Sequence, residues 1–312
     1  MPPEFAPEFA NISVIMPAYQ AVDTIGRTLA SITTQTLKPR EVIIVDDGSE
    51  DGTFEKAESL GPEMGGIGLK VIRQDHQGAG AARNRAIAES NQPYLAFLDA
   101  DDEWLPEKLE RSMAFMEGSD FVLVAHDYIT GEGDQAVHHD CVRRFKETQD
   151  PFIGLYRKGY IPSSSVVTRR DAVVSVGGFD PSLANAQDFD LWLALLREPE
   201  TPFLVFGEPL LRYHITPGGI MSHTNRRLHC TLEIALRYFP DLESRPGSAL
   251  LNLWFRILAL HREAFRAHRK RGNITNLLLT AGLFPFRILG MTIKALFLLP
   301  TQRRDFLSAH DG

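Results

Sequence analysis

The segment Phe97–Trp104, with the sequence FLDADDEW, decides how the rest of the chain is interpreted. The residues Tyr94–Leu98 are mostly apolar and follow a proline, which predicts a short buried strand. Asp99, Asp101 and Asp102 come directly after it, at the carboxyl end of the predicted strand. Open α/β sheets hold their ligands at that edge. The segment therefore predicts a binding site at the end of a strand.

Three carboxylates this close together repel one another, so they need a cation or hydrogen-bond donors nearby. A divalent cation that also binds a substrate diphosphate would meet this need, because such ions combine one or two carboxylates with phosphate oxygens. An acidic turn before a helix that begins near Pro106 would produce the same pattern. The segment alone leaves both explanations open.

The composition of the chain is typical of a large globular protein. Its 312 residues are 44% hydrophobic, which is enough to form a full core in one large domain with an appendage, or in two domains. The two cysteines, Cys141 and Cys230, are far apart, which argues against a disulfide framework and favours a reducing compartment. Residues 1–10 have neither a basic start nor an apolar run, so we expect a loose tail and not a secretory signal. A cytoplasmic protein is therefore expected.

The formal net charge of −7 is unevenly distributed along the chain. Residues 226–312 contain 14 Lys and Arg against 6 Asp and Glu, a net of +8, whereas residues 1–225 contain 19 against 34, a net of −15. This asymmetry predicts an acidic body over residues 11–225 and a basic extension over residues 226–312 that contact partners of different character. A nucleic-acid partner is not expected.

Strands and helices are predicted to alternate before the acidic segment. Ile12–Met16 predicts a strand, Thr24–Thr36 a helix and Glu41–Val45 a second strand, which together make a βαβ unit with parallel strands. Leu69–Arg73 predicts a third strand. The first strand is not followed by Gly-x-Gly-x-x-Gly, which argues against a dinucleotide-binding oxidoreductase. We expect an α/β fold with a mostly parallel sheet flanked by helices.

Two further groups of residues are predicted to lie at the same edge of the sheet. Asp46 and Asp47 end the second strand, where Asp47 could accept the imide N–H of a uracil or thymine base, although a turn and helix cap also explain the pair. After the third strand, small residues precede a helix that carries Arg83 and Arg85. Its N-terminal N–H groups and these arginines could bind a diphosphate. Tight helix packing with both arginines in solvent is the alternative.

The second half of the predicted body is less regular. Residues 126–150 predict an irregular insertion, in which His138 and His139 are expected to be solvated, and Ser163–Thr168 predicts a strand. His214, which follows a predicted strand, could reach a diphosphate or a metal, or be a structural histidine.

Residues 187–196 predict an amphipathic helix with Asp188 and Asp190 in its first turn. Capping and the helix dipole explain acidic residues there, while Asp188 could instead act as a general base. A structural role is the better interpretation for Asp190.

In combination, these segments resemble the family 2 glycosyltransferases, which are inverting enzymes of the GT-A fold. The matching stretches occur in the order found in that family: VIMPAY at 14–19, IIVDDGS at 43–49, GAARN at 80–84, LDADD at 98–102, GGFD at 177–180 and DFDLW at 188–192. The resemblance covers about residues 11–216, and it implies a Rossmann-like GT-A sheet over residues 11–225 with a C-terminal helical extension.

The resemblance also implies roles for individual residues. The donor would be bound by Pro17, Tyr19, Asp47 and Asp99, to which the position of Arg83 at a helix start adds that residue. Either Asp101 or Asp102 would bind Mg²⁺ or Mn²⁺, and the choice between them stays open. His214 is a further candidate ligand because of its position after a strand, not because of the resemblance. Asp188 matches the catalytic base. The implied reaction transfers a sugar from a nucleoside-diphosphate sugar to a saccharide or lipid-linked acceptor, with inversion, in polysaccharide or glycolipid synthesis of the bacterial type.

Two positions depart from the family pattern, and two other classes of protein remain to be considered. Gln20 replaces an Asn, and Gln187 replaces a Glu, which removes a negative neighbour and leaves Asp188 easier to ionise. These departures keep open a non-catalytic sugar-nucleotide-binding protein. A haloacid-dehalogenase-like phosphatase also has Asp-x-Asp after a strand, but it expects Thr or Val in place of Glu103 and leaves Asp47 unexplained.

The basic extension contains two apolar segments. Leu250–Phe265 has helical spacing, and the apolar run Ile274–Pro300 is long enough to cross a membrane, which takes roughly 20 residues. Pro285, Arg287 and Lys294 interrupt this run. The pattern suits a helix that lies in a membrane interface against anionic lipid, peripheral on the inner face of the membrane. A helical subdomain folded on the body, or a homodimer contact, explains it equally well.

Overall fold

The structure is a computed structural model that describes residues 9–147, 150–158, 161–215 and 223–298. It separates into two compact units, one formed by Met1–Arg144 with Tyr160–Gly219 and the other by Phe145–Gly159 with Ile220–Gly312. The sequence-based boundary at residue 225 differs from this division, because residues 145–159 belong with the C-terminal unit.

The first unit is organised around one sheet. Over the described residues its strands are β1 Phe9–Ala18, β2 Lys38–Asp46, β3 Gly68–Arg73, β4 Tyr94–Phe97, β5 Glu103–Trp104, β6 Leu123–Thr130, β7 Val137–His139, β8 Val167–Arg169 and β9 Phe203–Tyr213. Their order is β3-β2-β1-β4-β8-β6-β9-β5, and β7 pairs with β6. The strands β3-β2-β1-β4 are parallel, whereas β8 is antiparallel to both of its neighbours. The pair β6 and β9 is also parallel, whereas β5 is antiparallel to β9 and β7 is antiparallel to β6, so the sheet is mixed. The predicted α/β fold is confirmed.

The helices of the first unit follow or join these strands. They are α1 Ile25–Thr33, α2 Thr53–Ser59, α3 Ala79–Ala88, α4 Lys108–Met116, α5 Val142–Lys146, which runs across the division into the second unit, α7 Arg170–Ser175 and α8 Gln187–Leu195. Ile25, Leu29 and Ile32 of α1 are buried, as their spacing predicts. The interiors of β1 and β2 are buried and mostly apolar, because parallel strands are covered by helices on both faces.

Two local predictions are corrected by the structure. The first strand already begins at Phe9, so residues 9 and 10 of the predicted loose tail belong to β1, and residues 1–8 lie outside the described residues. The predicted irregular insertion instead contains the end of β6 and its hairpin with β7. The buried carboxylate of Asp127 is tolerated there because it is hydrogen-bonded. Its Oδ1 accepts the Cys141 N–H at 2.8 Å, and its Oδ2 lies 2.8 Å from His138 Nε2.

The second unit is helical over its described residues. Its helices are α6 Pro151–Lys158, α9 Thr224–Arg237, α10 Ala249–Lys270 and α11 Ile274–Leu298. The Tyr156 hydroxyl donates to the Ala235 carbonyl at 2.8 Å, which holds α6 in this unit and explains why it separates from the body. The hydroxyl of Ser248 caps α10 by accepting the Leu251 N–H at 3.3 Å.

One helix in the described part of the chain, α11, is long and apolar enough to cross a membrane by length and composition. Only 11% of its most apolar 18-residue window is buried in this protein. The predicted apolar run continues to Pro300, but residues 299 and 300 lie outside the described residues.

Candidate active site

The acidic segment forms the turn between β4 and β5. The N–H of Asp102 donates to the carbonyl of Asp99 at 3.1 Å, which turns the chain back on itself. This turn divides the carboxylates: Asp102 is only 1% exposed, while Asp99 and Asp101 are partly exposed. Burial, with the negative charges of Asp101 and Asp99, raises the pKa of the Asp102 carboxyl well above its usual range. One acid therefore points into the protein, and two remain accessible to a ligand.

A short turn of buried serines supports this acidic turn. Ser163–Ser165 is a 3-10 helix that precedes β8, whereas the sequence predicted a strand from Ser163 onward. The Ser164 hydroxyl donates to Asp102 Oδ2 at 2.5 Å and accepts the N–H of Asp99 at 3.1 Å. Sequence reasoning missed this contact, and the signal that could have found it is a run of three hydroxyl side chains after Pro162, at positions expected to be buried.

The turn Ser163–Ser165 also lies next to the candidate base, Asp188. Asp188 lies at the N-terminus of α8, where its Oδ1 accepts the Phe189 N–H at 2.8 Å and its Oδ2 lies 3.4 Å from the Ser163 hydroxyl. Burial raises the pKa of the Asp188 carboxyl, and the positive charge of Arg83 opposes part of that shift. A carboxylate whose pKa is raised toward the working pH is suited to remove a proton.

Arg83 of α3 lies between the acidic turn and Asp188. Arg83 is only 4% exposed. Its guanidinium donates to Asp99 Oδ1 at 2.5 Å and lies 5.2 Å from the centre of the Phe179 ring. Its Nε has no acceptor among the described residues. Arg85, two residues along, instead pairs with Glu89 at 3.1 Å outside the site. Arg83 thus supplies the positive charge at the centre of the acidic groups.

The neighbouring residue, Asn84, fixes the position of this arginine. Its side-chain amide donates to the Phe179 carbonyl at 2.7 Å, and its oxygen accepts the Phe179 N–H at 2.9 Å. A Cβ on Gly178 would lie 2.6 Å from the Asn84 oxygen, and Gly178 has a positive φ of +73°. The motifs at 80–84 and 177–180 therefore join in one contact.

Asp47, at the end of β2, is fully occupied by the loop before α3. Its Oδ1 accepts the Gln77 N–H at 2.9 Å and the Gln74 amide at 2.7 Å, and its Oδ2 accepts the Gly78 N–H at 2.7 Å. The His76 ring nitrogen lies 2.9 Å from the same oxygen. In this structure Asp47 shapes the loop that leads into α3.

Two other predicted donor-binding residues lie near this loop or at the end of β1. Tyr19 is 51% exposed, and its ring centre lies 4.4 Å from that of His76. Pro17 is buried in β1, in register with Val45 of β2. Tyr19 therefore offers an aromatic surface to a ligand, whereas Pro17 contributes to the end of the strand.

His214 lies beside the acidic turn but is engaged by another acid. Its backbone N–H donates to Asp102 Oδ1 at 3.0 Å, and its Nε2 lies 2.7 Å from Glu103 Oε1. Among the described residues, no group of three His, Cys, Asp or Glu side chains is arranged to hold a metal ion. A cation here would need ligand oxygens as well as those of the chain.

The comparisons with known proteins identify the family. Residues 13–177 match the sequence profile of Glycosyl transferase family 2. The Amylovoran biosynthesis glycosyltransferase AmsB of Erwinia amylovora is 30% identical over 71% of this chain and 75% of its own length. The chain belongs to glycosyl transferase family 2 and is a glycosyltransferase. This membership does not favour the phosphatase or the non-catalytic binding protein.

Another relative and two solved structures extend this result. The Escherichia coli UDP-Glc:alpha-D-GlcNAc-diphosphoundecaprenol beta-1,3-glucosyltransferase WfgD is 26% identical over 70% of this chain and 82% of its own. S. aureus TarS 1-349 in complex with UDP-GlcNAc is similar with a TM-score of 0.62 and 18% identity, over 89% of this chain and 81% of that one. Mannosyltransferase PcManGT from Pyrobaculum calidifontis, in complex with GDP-Man and Mn²⁺, has a TM-score of 0.59 and 16% identity, over 92% and 87%. The predicted GT-A fold is confirmed.

Proposed function

We propose that this glycosyltransferase moves a sugar from a nucleoside-diphosphate sugar to a hydroxyl of a saccharide or lipid-linked acceptor, with inversion at the anomeric carbon. The observation that carries the proposal is the link from Asp188 through Arg83 to Asp99. Arg83 forms an ion pair with Asp99 and acts electrostatically on Asp188, so a base and a diphosphate-binding cation lie in one site. Family membership alone would not assign these roles.

The donor nucleotide would lie along the edge formed by β1, β2 and β4. The exposed Tyr19 ring, paired with His76, gives a surface on which a base can stack. The partly exposed Asp99 would accept hydrogen bonds from the ribose. A direct contact between Asp47 and the base requires that one of its chain donors is exchanged, and the Gln74 side chain is the donor that can move most easily.

The oxygen-rich acidic turn fits a hard divalent cation. Burial raises the pKa of Asp102, and the negative charges of Asp101 and Asp99 add to that shift, so a cation bound here would relieve part of the repulsion. Because Asp102 is buried and already accepts from Ser164 and His214, we assign the metal contact to Asp101 and a supporting role to Asp102. When bound with the donor, Mg²⁺ or Mn²⁺ would stabilise the negative charge that develops on the leaving diphosphate.

The chain's own residues would then complete the transfer. Asp188 would take the proton from the acceptor hydroxyl while that oxygen attacks the anomeric carbon from the face opposite the diphosphate. Arg83 would stabilise the departing diphosphate, and its buried position strengthens that interaction. The two residues act on opposite ends of the bond change, which agrees with inversion.

The acceptor and the place of action are inferred from the relatives. WfgD is named for an acceptor carried on diphosphoundecaprenol, and AmsB for amylovoran biosynthesis. By analogy, we propose that this chain acts in bacterial polysaccharide or glycolipid synthesis, in the cytoplasm and at the inner face of the membrane.

A comparison of turnover with donor binding tests the assignment of the base. Asp188→Asn should lower turnover by about 10²- to 10⁴-fold, the usual contribution of a general base, and leave donor binding measured by calorimetry unchanged. Asp171→Asn, an exposed acid on α7, is the matched control and should retain full turnover. The assay measures nucleotide release from UDP- and GDP-sugars with candidate acceptors. Wild-type turnover in Asp188→Asn would refute the base, and donor binding without any release would favour a non-catalytic protein.

A further inference from the structure

The helix α11 presents an apolar face outward. It buries Thr280, Met291 and Ala295 on one side. The opposite side is exposed and carries large apolar residues at helical spacing, including Leu279, Phe286, Leu289, Ile293 and Phe297. Phe286 is 71% exposed and Phe297 is 82% exposed. Contiguous exposed apolar surface of this kind marks an interaction site.

An apolar stripe on α10 lies beside this face. Leu251, Trp254, Leu258 and Phe265 are all exposed and follow one another at spacings of three, four and seven residues. The Trp254 indole donates to the Thr292 hydroxyl at 2.9 Å, which places the stripe against α11. The stripe and the outer side of α11 together are called the α10–α11 face.

The α10–α11 face is bordered by positive charge. Residues 249–298 contain eight Lys and Arg and one Glu, a net of +7. The single acid, Glu263, is paired with Arg227 of α9. Arg262 and Arg269 continue the line of the α10 stripe, four residues beyond Leu258 and Phe265, and both are exposed. Apolar side chains and basic groups therefore share one side of the helix pair.

We propose that the α10–α11 face docks on an anionic lipid bilayer, with both helices lying in the plane of the interface. Amphipathic helices bind this way when apolar side chains enter the bilayer surface and basic side chains contact anionic headgroups. The inference goes beyond the glycosyl transfer, because it concerns the second unit alone and its test measures lipid binding only.

The charges exclude the main alternatives for this face. A second copy of the chain would present the same two helices with their net charge of +7, so self-association through this face would bring like charges together. A spanning arrangement would carry Arg287 and Lys294 into the hydrocarbon region, where a basic side chain costs several kcal/mol. An anionic surface complements both features.

Flotation of the purified full-length protein with vesicles tests the proposal. Vesicles of equal parts phosphatidylcholine and phosphatidylglycerol should carry the protein upward, and vesicles of phosphatidylcholine alone should carry much less. The variant Arg262→Ala/Arg269→Ala should lower the affinity for anionic vesicles by about fivefold per charge, or roughly 25-fold in total. The matched control Arg40→Ala/Lys70→Ala removes two exposed charges from the first unit and should bind like the wild type.

The apolar part of the face is tested separately. Phe286→Asp/Ile293→Asp replaces two exposed residues, so its circular dichroism and thermal midpoint should match the wild type while vesicle binding falls more than tenfold. Equal loss of binding in the control variant, or no flotation of the wild type, would overturn the proposal. Retention on the vesicles after washing with alkaline carbonate would show a spanning helix instead. A dimer in sedimentation that Phe286→Asp/Ile293→Asp converts to monomer, with lipid binding intact, would also contradict it.

Discussion

The acidic clusters that follow β2 and β4 lie at the same edge of the sheet, but their carboxylates are held in different ways. Both carboxylate oxygens of Asp47 accept hydrogen bonds from residues 74–78, so its negative charge is stabilised by the chain itself. In the turn after β4, Ser164 and His214 bind the inward-facing Asp102, and Asp101 is left partly exposed. The comparison teaches that similar Asp pairs can be held differently: Asp47 is hydrogen-bonded to its own chain, whereas Asp101 stays partly exposed, where we propose that it contacts the cation.

The largest effect expected from this comparison is a loss of turnover at Asp101. Asp101→Ala should lower turnover by about a hundredfold or more, because several kcal/mol of charge stabilisation depend on the bound cation. Its thermal midpoint should stay close to that of the wild type, since the Asp101 side chain is partly exposed. Nucleotide release and thermal unfolding measure the two quantities, with the exposed Asp120→Ala as control. An enzyme equally active in Asp101→Ala, or in chelator, would remove Asp101 from the metal contact.

The opposite result is expected at the other cluster. Asp47→Asn replaces a charged acceptor that binds two backbone N–H groups, and it should lower the free energy of unfolding by about 2 kcal/mol. Chemical denaturation measures this change. If Asp47→Asn unfolds like the wild type but loses affinity for the sugar nucleotide, the comparison is wrong, and the main role of Asp47 is to contact the ligand.

A smaller effect, on the affinity for the cation, is expected from the serine that supports the acidic turn. Ser164→Ala removes the hydroxyl that donates to Asp102 and should weaken the apparent affinity for Mn²⁺ in the presence of donor by about 10- to 100-fold. Ser165→Ala is the matched control, because its hydroxyl is buried in the same turn but donates to the Pro162 carbonyl. Equal losses in both variants would show that the turn matters only for folding.

The smallest effect concerns the dependence of stability on pH. Burial raises the pKa of Asp188 in the folded protein above its usual value of 3.8, so folding favours the protonated carboxyl. The stability that this group contributes is therefore present at acid pH and is lost as the pH rises through the folded pKa. Asp188→Asn should unfold at a higher temperature than the wild type at neutral pH, and the difference should shrink toward acid pH. A difference that grows in acid would mean that Asp188 is stabilised as a carboxylate.

The sequence predicts those features that depend on local patterns. The buried strands and the spacing of α1 follow from apolar periodicity, and the acidic edge follows from the position of Asp residues after parallel strands. The family's motifs added the GT-A fold, which the comparisons confirm. The roles of Asp101, Arg83 and Asp188 stay predictions.

Other features depend on contacts that no local pattern records. Ser163–Ser165 has no periodicity that separates a 3-10 turn from a strand, and its importance comes from acids distant in sequence. The orientation of Asp102 depends on hydrogen bonds from the Ser164 hydroxyl and from the N–H of His214, which is 112 residues away. The place of α6 in the second unit depends on its contacts with α9 and α10. Such long-range hydrogen bonds become visible only when the chain is folded.

The double hydrogen bond between Asn84 and Phe179 has a consequence for evolution and for engineering. It makes the two motifs a matched pair, although 95 residues separate them. A chimaera that takes residues 80–84 from a relative but keeps residues 177–180 would separate parts adapted to each other, and the neighbouring guanidinium would lose its alignment. Grafting between relatives should therefore exchange both motifs at once.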